Sequence, residues 1–240
     1  MNEKLLHTPE GVRDIYDAEC KKKKKVISQI HHVLELYSYQ DIDTPSFEYF
    51  DIFNMDKGSA ASNEMYKFFD RNNNTLVLRP DITPSIARSV AKLPIRLCYA
   101  GNTFLNTHQH QGKLSEFTQI GGELINDDSS AADAEIIACV IHCLLAAGLK
   151  EFQIEIGEVE FFKGMIEEAG LDDETEQRIK EYIHSKNFFG LTEFVNTLEI
   201  PEERKTALKS FESLFGGLDM LDHAEKLVTN AASLEAIARM

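Results

Sequence analysis

The sequence predicts an α+β fold: a mixed, largely antiparallel sheet flanked by helices through about residue 157, then an acidic helical segment over 158–240. Three observations point there. Two long strand-like segments, Ile95–Phe104 and Glu116–Ile125, are joined by a polar loop. Two shorter apolar runs, Met65–Asp70 and Thr75–Leu78, flank the Asn-rich turn 71–74, which is a hairpin signal. From about residue 160 the apolar spacing becomes helical and acidity rises, with a net charge of −4 over residues 1–150 and −11 over 151–240.

Taken in order, residues 17–38 place Val26, Ile30, Val33, Leu34 and Tyr37 at helical spacing, ending before the turn-like Tyr39-Gln40-Asp41. Pro45 makes 43–48 extended, because the residue before a proline is pushed out of the helical region. Tyr49–Phe53 reads as a short helix. Thr83-Pro84 opens another, with a capping hydroxyl and a proline in the first turn, running to about Lys92. Asp133–Ala147 is an apolar helix closed by Gly148, and Phe152–Ile156 alternates as a strand. Beyond residue 160, Gly170, Gly190, Pro201 and the pair Gly216-Gly217 break the helical pattern.

Composition narrows the function classes. The 240 residues are 43% hydrophobic and 27% charged, which is globular rather than disordered composition. No apolar run approaches the roughly 18 residues needed to cross a bilayer, and the N-terminus lacks a basic start followed by an apolar stretch. No membrane partner and no secretory signal are expected. Four cysteines do not make a disulfide framework, so they read as reduced thiols in a cytoplasmic protein. A formal charge of −15 leans against a polynucleotide partner, whose phosphates call for a basic footprint. The one basic block, Lys21–Lys25, falls in helical register and reads as a solvated turn.

Several chemistries lack support. There is no Walker loop and no GxGxxG between a strand and a helix. Cys139 and Cys143 are four apart on an apolar helix and read as buried thiols, since zinc wants four ligands. His108 and His110 read as exposed loop histidines, and adjacent His31 and His32 face different ways on a helix. No metal site and no cofactor are expected.

The informative stretch is 78–123. Leu78-Arg79-Pro80-Asp81-Ile82-Thr83 puts a carboxylate and a hydroxyl where a strand gives way to a helix start, whose main-chain donors are free. Gln119 and Glu123 lie four apart on one strand and so share a face, with Gly121 between them leaving room against the backbone. Asp81, Thr83, Gln119 and Glu123 together would suit a small cationic ligand, such as an amino group with a second nitrogenous donor. The same spacing fits equally an N-cap aspartate and polar residues on a solvated sheet face.

Five ordered blocks resemble the catalytic core of histidyl-tRNA synthetase, a class II antiparallel sheet. They are Thr8-Pro9-Glu10-Gly11-Val12-Arg13-Asp14, Asp43-Thr44-Pro45-Ser46-Phe47-Glu48, Glu64-Met65-Tyr66-Lys67-Phe68-Phe69-Asp70-Arg71, Leu78-Arg79-Pro80-Asp81-Ile82-Thr83 and Glu116-Phe117-Thr118-Gln119-Ile120-Gly121-Gly122-Glu123. The likeness spans about residues 8–157. Two branches share these blocks: the synthetases, and their paralogues, the regulatory subunits of short-form ATP phosphoribosyltransferase. In the synthetases an arginine follows the strand-ending phenylalanine, and further basic residues lead to the Glu-Phe-x-Gln strand. They neutralise phosphate charge during adenylation. Here Leu105 stands in the arginine's place, His108 and Ser115 occupy two other basic positions, and Lys113 alone keeps a charge. Adenylation and tRNA charging should fail, and Asp81 in place of the synthetases' glutamate also resembles the regulatory branch.

The resemblance implies a non-catalytic, class II synthetase-like subunit that binds L-histidine. Asp81, Thr83 and Gln119 would contact the ligand's amino group and Glu123 its imidazole. Assembly with the catalytic subunit of short-form ATP phosphoribosyltransferase, feedback control of the first step of histidine biosynthesis, and a homodimer through the Thr44-Pro45 segment follow from the same likeness. The alternatives are an active histidyl-tRNA synthetase, or a degenerate class II paralogue that serves only as an interaction module. The family continues past this length with a tyrosine-rich strand whose arginine holds the ligand's carboxylate. No such strand is legible before Met240, so the chain is expected to be a fragment or a shortened member. Losing that arginine would cost a charge-assisted bond of roughly 1.5–3 kcal/mol.

Overall fold

The computed structural model describes residues 7–54, 60–90, 95–106 and 114–240. The chain divides into two compact units, Met1–Phe152 and Gln153–Met240.

The first unit opens with α1 (Asp17–Leu36), which carries the lysine block in its first turns with Lys21 paired to Asp17. After it come β1 (Gln40–Asp41), β2 (Phe47–Tyr49) and α2 (Phe50–Asn54). β3 (Lys67–Phe69) and β4 (Thr75–Leu78) form the expected hairpin, and α3 spans Thr83–Ser89. β5 (Ile95–Phe104) and β6 (Glu116–Ile125) are joined to α4 (Ser130–Ala147), which Gly148 ends in the left-handed region. The Asn-rich turn is held by Asp70, whose carboxylate accepts from the main chain of Asn72 and Asn74 and from the Asn74 amide.

Among the described residues the strands form two three-stranded sheets: β2-β4-β3, wholly antiparallel, and β1-β5-β6, in which β1 runs parallel to β5. The second sheet positions the candidate site. Directly opposed residues on antiparallel strands share a face. One face of the β5–β6 ladder therefore carries Leu97, Tyr99, Gly101, Gln119, Gly121 and Glu123. Over it lie Ile82 and Ile86 of the α3 region, packed on Leu97 and Tyr99. The other face carries Cys98 and Gly122, against which Leu34, Tyr39 and Cys139 pack.

α4 has the length and apolar composition of a membrane-crossing helix, which corrects the expectation that no run of that kind exists. In this unit one side of it packs on α1 and the sheet through Cys139, and Glu135 forms an ion pair with Arg96 of β5. Phe152–Ile156 is not a strand: the alternation is present, but among the described residues no neighbouring strand offers its backbone a partner. α3 ends at Ser89, short of the expected Lys92, which lies outside the described residues.

The second unit holds α5 (Val159–Ala169), α6 (Asp173–His184), α7 (Phe188–Thr197), α8 (Glu202–Lys209), α9 (Asp219–Glu225) and α10 (Ala231–Arg239). Ile179, Leu191 and Val195 are fully buried at its centre, with Met165, Leu208 and Val228 around them. Gly170 ends α5 and Pro201 precedes α8, as breakers should. Gly190 instead lies inside α7. The space its missing Cβ leaves is taken by Asn187, which caps the helix on the Gly190 N–H, and by Tyr182. α5 and α10 meet closely at Gly164, where Ser233 donates to the Phe161 carbonyl.

Candidate functional site

Arg79 sets the geometry of the site. The residue is 5% exposed, and its main chain donates to Ser46 O, just before β2, and accepts from Phe104 N of β5. Its guanidinium donates to Asn102 O at 2.8 Å, Thr44 O at 2.6 Å and Thr44 Oγ1 at 3.1 Å. It fits because the strand beneath is glycine there: a Cβ on Gly101 would overlap the guanidinium. Arg79 thereby fixes where Asp81 and Thr83 emerge over the Gln119–Glu123 face.

The four sequence-predicted residues come together. Thr83 Oγ1 donates to Glu123 Oε1 at 2.7 Å, and the Gln119 amide donates to Asp81 Oδ1 at 3.2 Å. Asp81 Oδ1 also accepts from the main chain of Ile82 at 2.6 Å, just ahead of α3, whose N-cap position is Ile82 and which no side chain caps. The expected capping hydroxyl of Thr83 does not cap. Thr83 is the first helical residue, and its oxygen is turned toward Glu123 instead.

Tyr99 is the member that local sequence reasoning missed. It is buried opposite Gly121, and its hydroxyl lies 3.0 Å from Gln119 Nε2. The room above Gly121 is filled by this ring, whose hydroxyl lies 2.7 Å from where a Gly121 Cβ would sit, rather than left open against the backbone. The signal was available: pairing Phe104 with Glu116 across the loop places Tyr99 opposite Gly121.

Burial pushes the Glu123 carboxyl above its ordinary value, the Thr83 hydrogen bond opposes that shift, and the nearby Asp81 charge adds to it. Burial likewise raises Tyr99, with the Glu123 charge adding to the effect. The result is a partly buried patch of two carboxylates, two hydroxyls and an amide. Such a set accepts hydrogen bonds from an ammonium and from a ring N–H. Leu105 closes β5 with an aliphatic side chain, its N–H donating to Ser115 O at 2.9 Å. His108, His110 and Lys113 lie outside the described residues.

Fold and site together define a class II aminoacyl-tRNA synthetase-like chain. A family model described as histidyl-tRNA synthetase matches residues 11–240, and the chain belongs to that family. Among curated relatives, the ATP phosphoribosyltransferase regulatory subunit of Ruminiclostridium cellulolyticum is 41% identical over 238 residues, covering 97% of this chain and 57% of that one. The protein of the same name from Acetivibrio thermocellus is 41% identical over 243 residues, covering 99% and 58%. The chain thus spans somewhat over half the length of the curated relatives it matches. A solved structure from Bacillus halodurans, described as an ATP phosphoribosyltransferase regulatory subunit/histidyl-tRNA synthetase, superposes with a TM-score of 0.90 at 33% identity, covering 98% and 63%. A histidine–tRNA ligase subunit from Alicyclobacillus acidocaldarius shares the fold, with a TM-score of 0.72 at 19% identity over 97% and 74%.

Proposed function

We propose that this chain is the non-catalytic regulatory subunit of a short-form ATP phosphoribosyltransferase, and that it binds L-histidine at Asp81, Thr83, Gln119 and Glu123, with Tyr99 as their support. The observation that carries the reading is the acceptor cluster itself. A free histidine offers an ammonium, which suits Asp81 with Gln119 and Thr83, and a ring N–H, which suits Glu123. Leu105 argues against adenylation, because an aliphatic side chain supplies no charge to a phosphate. The names borne by the relatives support the regulatory role. A catalytic subunit that condenses ATP with phosphoribosyl pyrophosphate is the corresponding partner, and a cytoplasmic homodimer is part of the same proposal. Feedback control requires histidine to bind the inhibited state of the assembly more tightly than the active one.

Light-scattering chromatography of the chain with the short-form catalytic subunit, with and without histidine, tests the assembly. Co-elution that changes with histidine is expected, and separate elution under both conditions counts against it. Calorimetry with L-histidine tests the pocket: heat should appear for the parent chain and vanish for Asp81→Ala and Glu123→Ala. The second reading, an active histidyl-tRNA synthetase, is favoured by the family model's own description. It requires histidine-dependent exchange of pyrophosphate into ATP, which we expect to be absent.

A further inference from the structure

On the reverse face of the same β5 strand, three side chains from three elements converge. His31 of α1 places Nε2 2.6 Å from Asp41 Oδ1 of β1, and the same oxygen lies 3.5 Å from Cys98 Sγ of β5. One ligand atom from each residue lies within 4.8 Å of the other two. We propose that His31, Asp41 and Cys98 form a binding site for a zinc-class divalent cation, which pins α1 and β1 to the sheet.

Three features support this. The donor set of imidazole, carboxylate and thiolate is one that zinc and cobalt accept, with oxygen or nitrogen at about 2.0–2.2 Å and sulfur at about 2.3 Å. Tetrahedral angles at those lengths separate ligand atoms by roughly 3.3–3.6 Å. The Asp41–Cys98 distance already fits, and the His31–Asp41 contact needs to open by less than an ångström. The other ring nitrogen of His31 faces Glu35 Oε1 at 3.7 Å. At that distance the pair is not a hydrogen bond, and a shift of a few tenths of an ångström would make it the carboxylate–histidine contact that orients imidazole ligands toward a metal. Finally, the site has a dry side and a wet side: Cys98 is fully buried, whereas the Asp41 side chain is 73% exposed. An ion can enter past Asp41, take the Cys98 thiolate as the thiol proton leaves to solvent, and keep a water as its fourth ligand. This site shares no residue with the proposed histidine pocket, so either can fail without the other.

Titrating the chelator-stripped chain with cobalt(II) tests the proposal. One equivalent should produce a thiolate-to-cobalt charge-transfer band and tetrahedral visible absorption, both displaced by zinc. Cys98→Ser should abolish the charge-transfer band, while Cys139→Ser should keep it. His31→Gln and Asp41→Asn alter groups more exposed than Cys98, and each should weaken binding at least tenfold while thermal unfolding checks the fold. Glu35→Gln should weaken it about tenfold, as expected for a ligand-orienting partner. No band in the parent chain overturns the site. So does a band that survives Cys98→Ser, or an affinity unchanged by both His31→Gln and Asp41→Asn.

Discussion

Thr83 and Glu123, forty positions apart, are joined by a 2.7 Å hydrogen bond from the hydroxyl that begins α3 to a carboxylate on β6. The bond holds Glu123 in place and partly offsets the effect of burying its charge. Thr83→Val keeps the shape and removes the donor. Loss of stability of about 1–2 kcal/mol is expected by urea unfolding at neutral pH. An unchanged midpoint would mean that water replaces the hydroxyl without cost.

Glu123 should also leave a signature in pH. Its folded pKa lies above the 4.5 of an ordinary glutamate, so the folded state holds the proton more tightly than the unfolded one. Its contribution to stability is full below 4.5 and is lost as pH rises through the raised folded value. Glu123→Gln should flatten that part of the stability profile, as read by unfolding at a series of pH values. Histidine binding should move the opposite way in the parent chain, strengthening as Glu123 ionises over the same window.

Gly121 tests the role of Tyr99. A Cβ at Gly121 would sit 2.7 Å from the Tyr99 hydroxyl and 2.9 Å from its ring carbon, so the ring must move. Gly121→Ala should cost about 1–3 kcal/mol by overpacking and weaken histidine binding at the same time. Tyr99→Phe removes only the hydroxyl and should reduce binding with a smaller loss of stability. Calorimetry and thermal unfolding of the two variants separate these effects.

Arg79 should prove structural. Arg79→Met leaves the carbonyls of Thr44 and Asn102 without their guanidinium, for an expected cost of about 3 kcal/mol or more. Near-ultraviolet circular dichroism during denaturation measures it. A loss of histidine binding at full stability would show instead that the side chain acts on the ligand.

In the second unit, Gly164→Ala should destabilise the α5–α10 contact, since the added carbon meets Ser233 and Asn230 and also lies 3.0 Å from the Ser233 main-chain nitrogen. Polar side chains can turn aside, but main chain cannot, so about 1–3 kcal/mol is expected. Hydrogen exchange of α10 amides reports it.

The long strands β5 and β6, the Asn-turn hairpin, the Gly148 helix end and the grouping of Asp81, Thr83, Gln119 and Glu123 were all legible in the sequence. Each depends on local periodicity, on turn chemistry or on a resemblance carried by contiguous blocks. Where tertiary contacts decide, local signals failed. Phe152–Ile156 alternates correctly yet pairs with no strand among the described residues, because strand formation depends on a neighbour's backbone. Gly190 carries a breaker's residue type, yet it lies in the first turn of α7, where its N–H takes the Asn187 cap and Tyr182 and Asn187 occupy the space a side chain would need. The Thr83 hydroxyl had a helix end to cap and was drawn to Glu123, a partner that only sheet packing brings near.

The sequence by itself determined which residues could serve as acceptors and which strand face would hold them, since a period of two is a property of the chain. Strand pairing read from the sequence could set Tyr99 opposite Gly121, but tertiary structure decided that its ring turns in to fill the space there and that Arg79 anchors the approach to Asp81. It also decided that His31, Asp41 and Cys98 meet on the reverse face. These depend on strand register and on the docking of α1 and α3, which bring together side chains that share no local pattern.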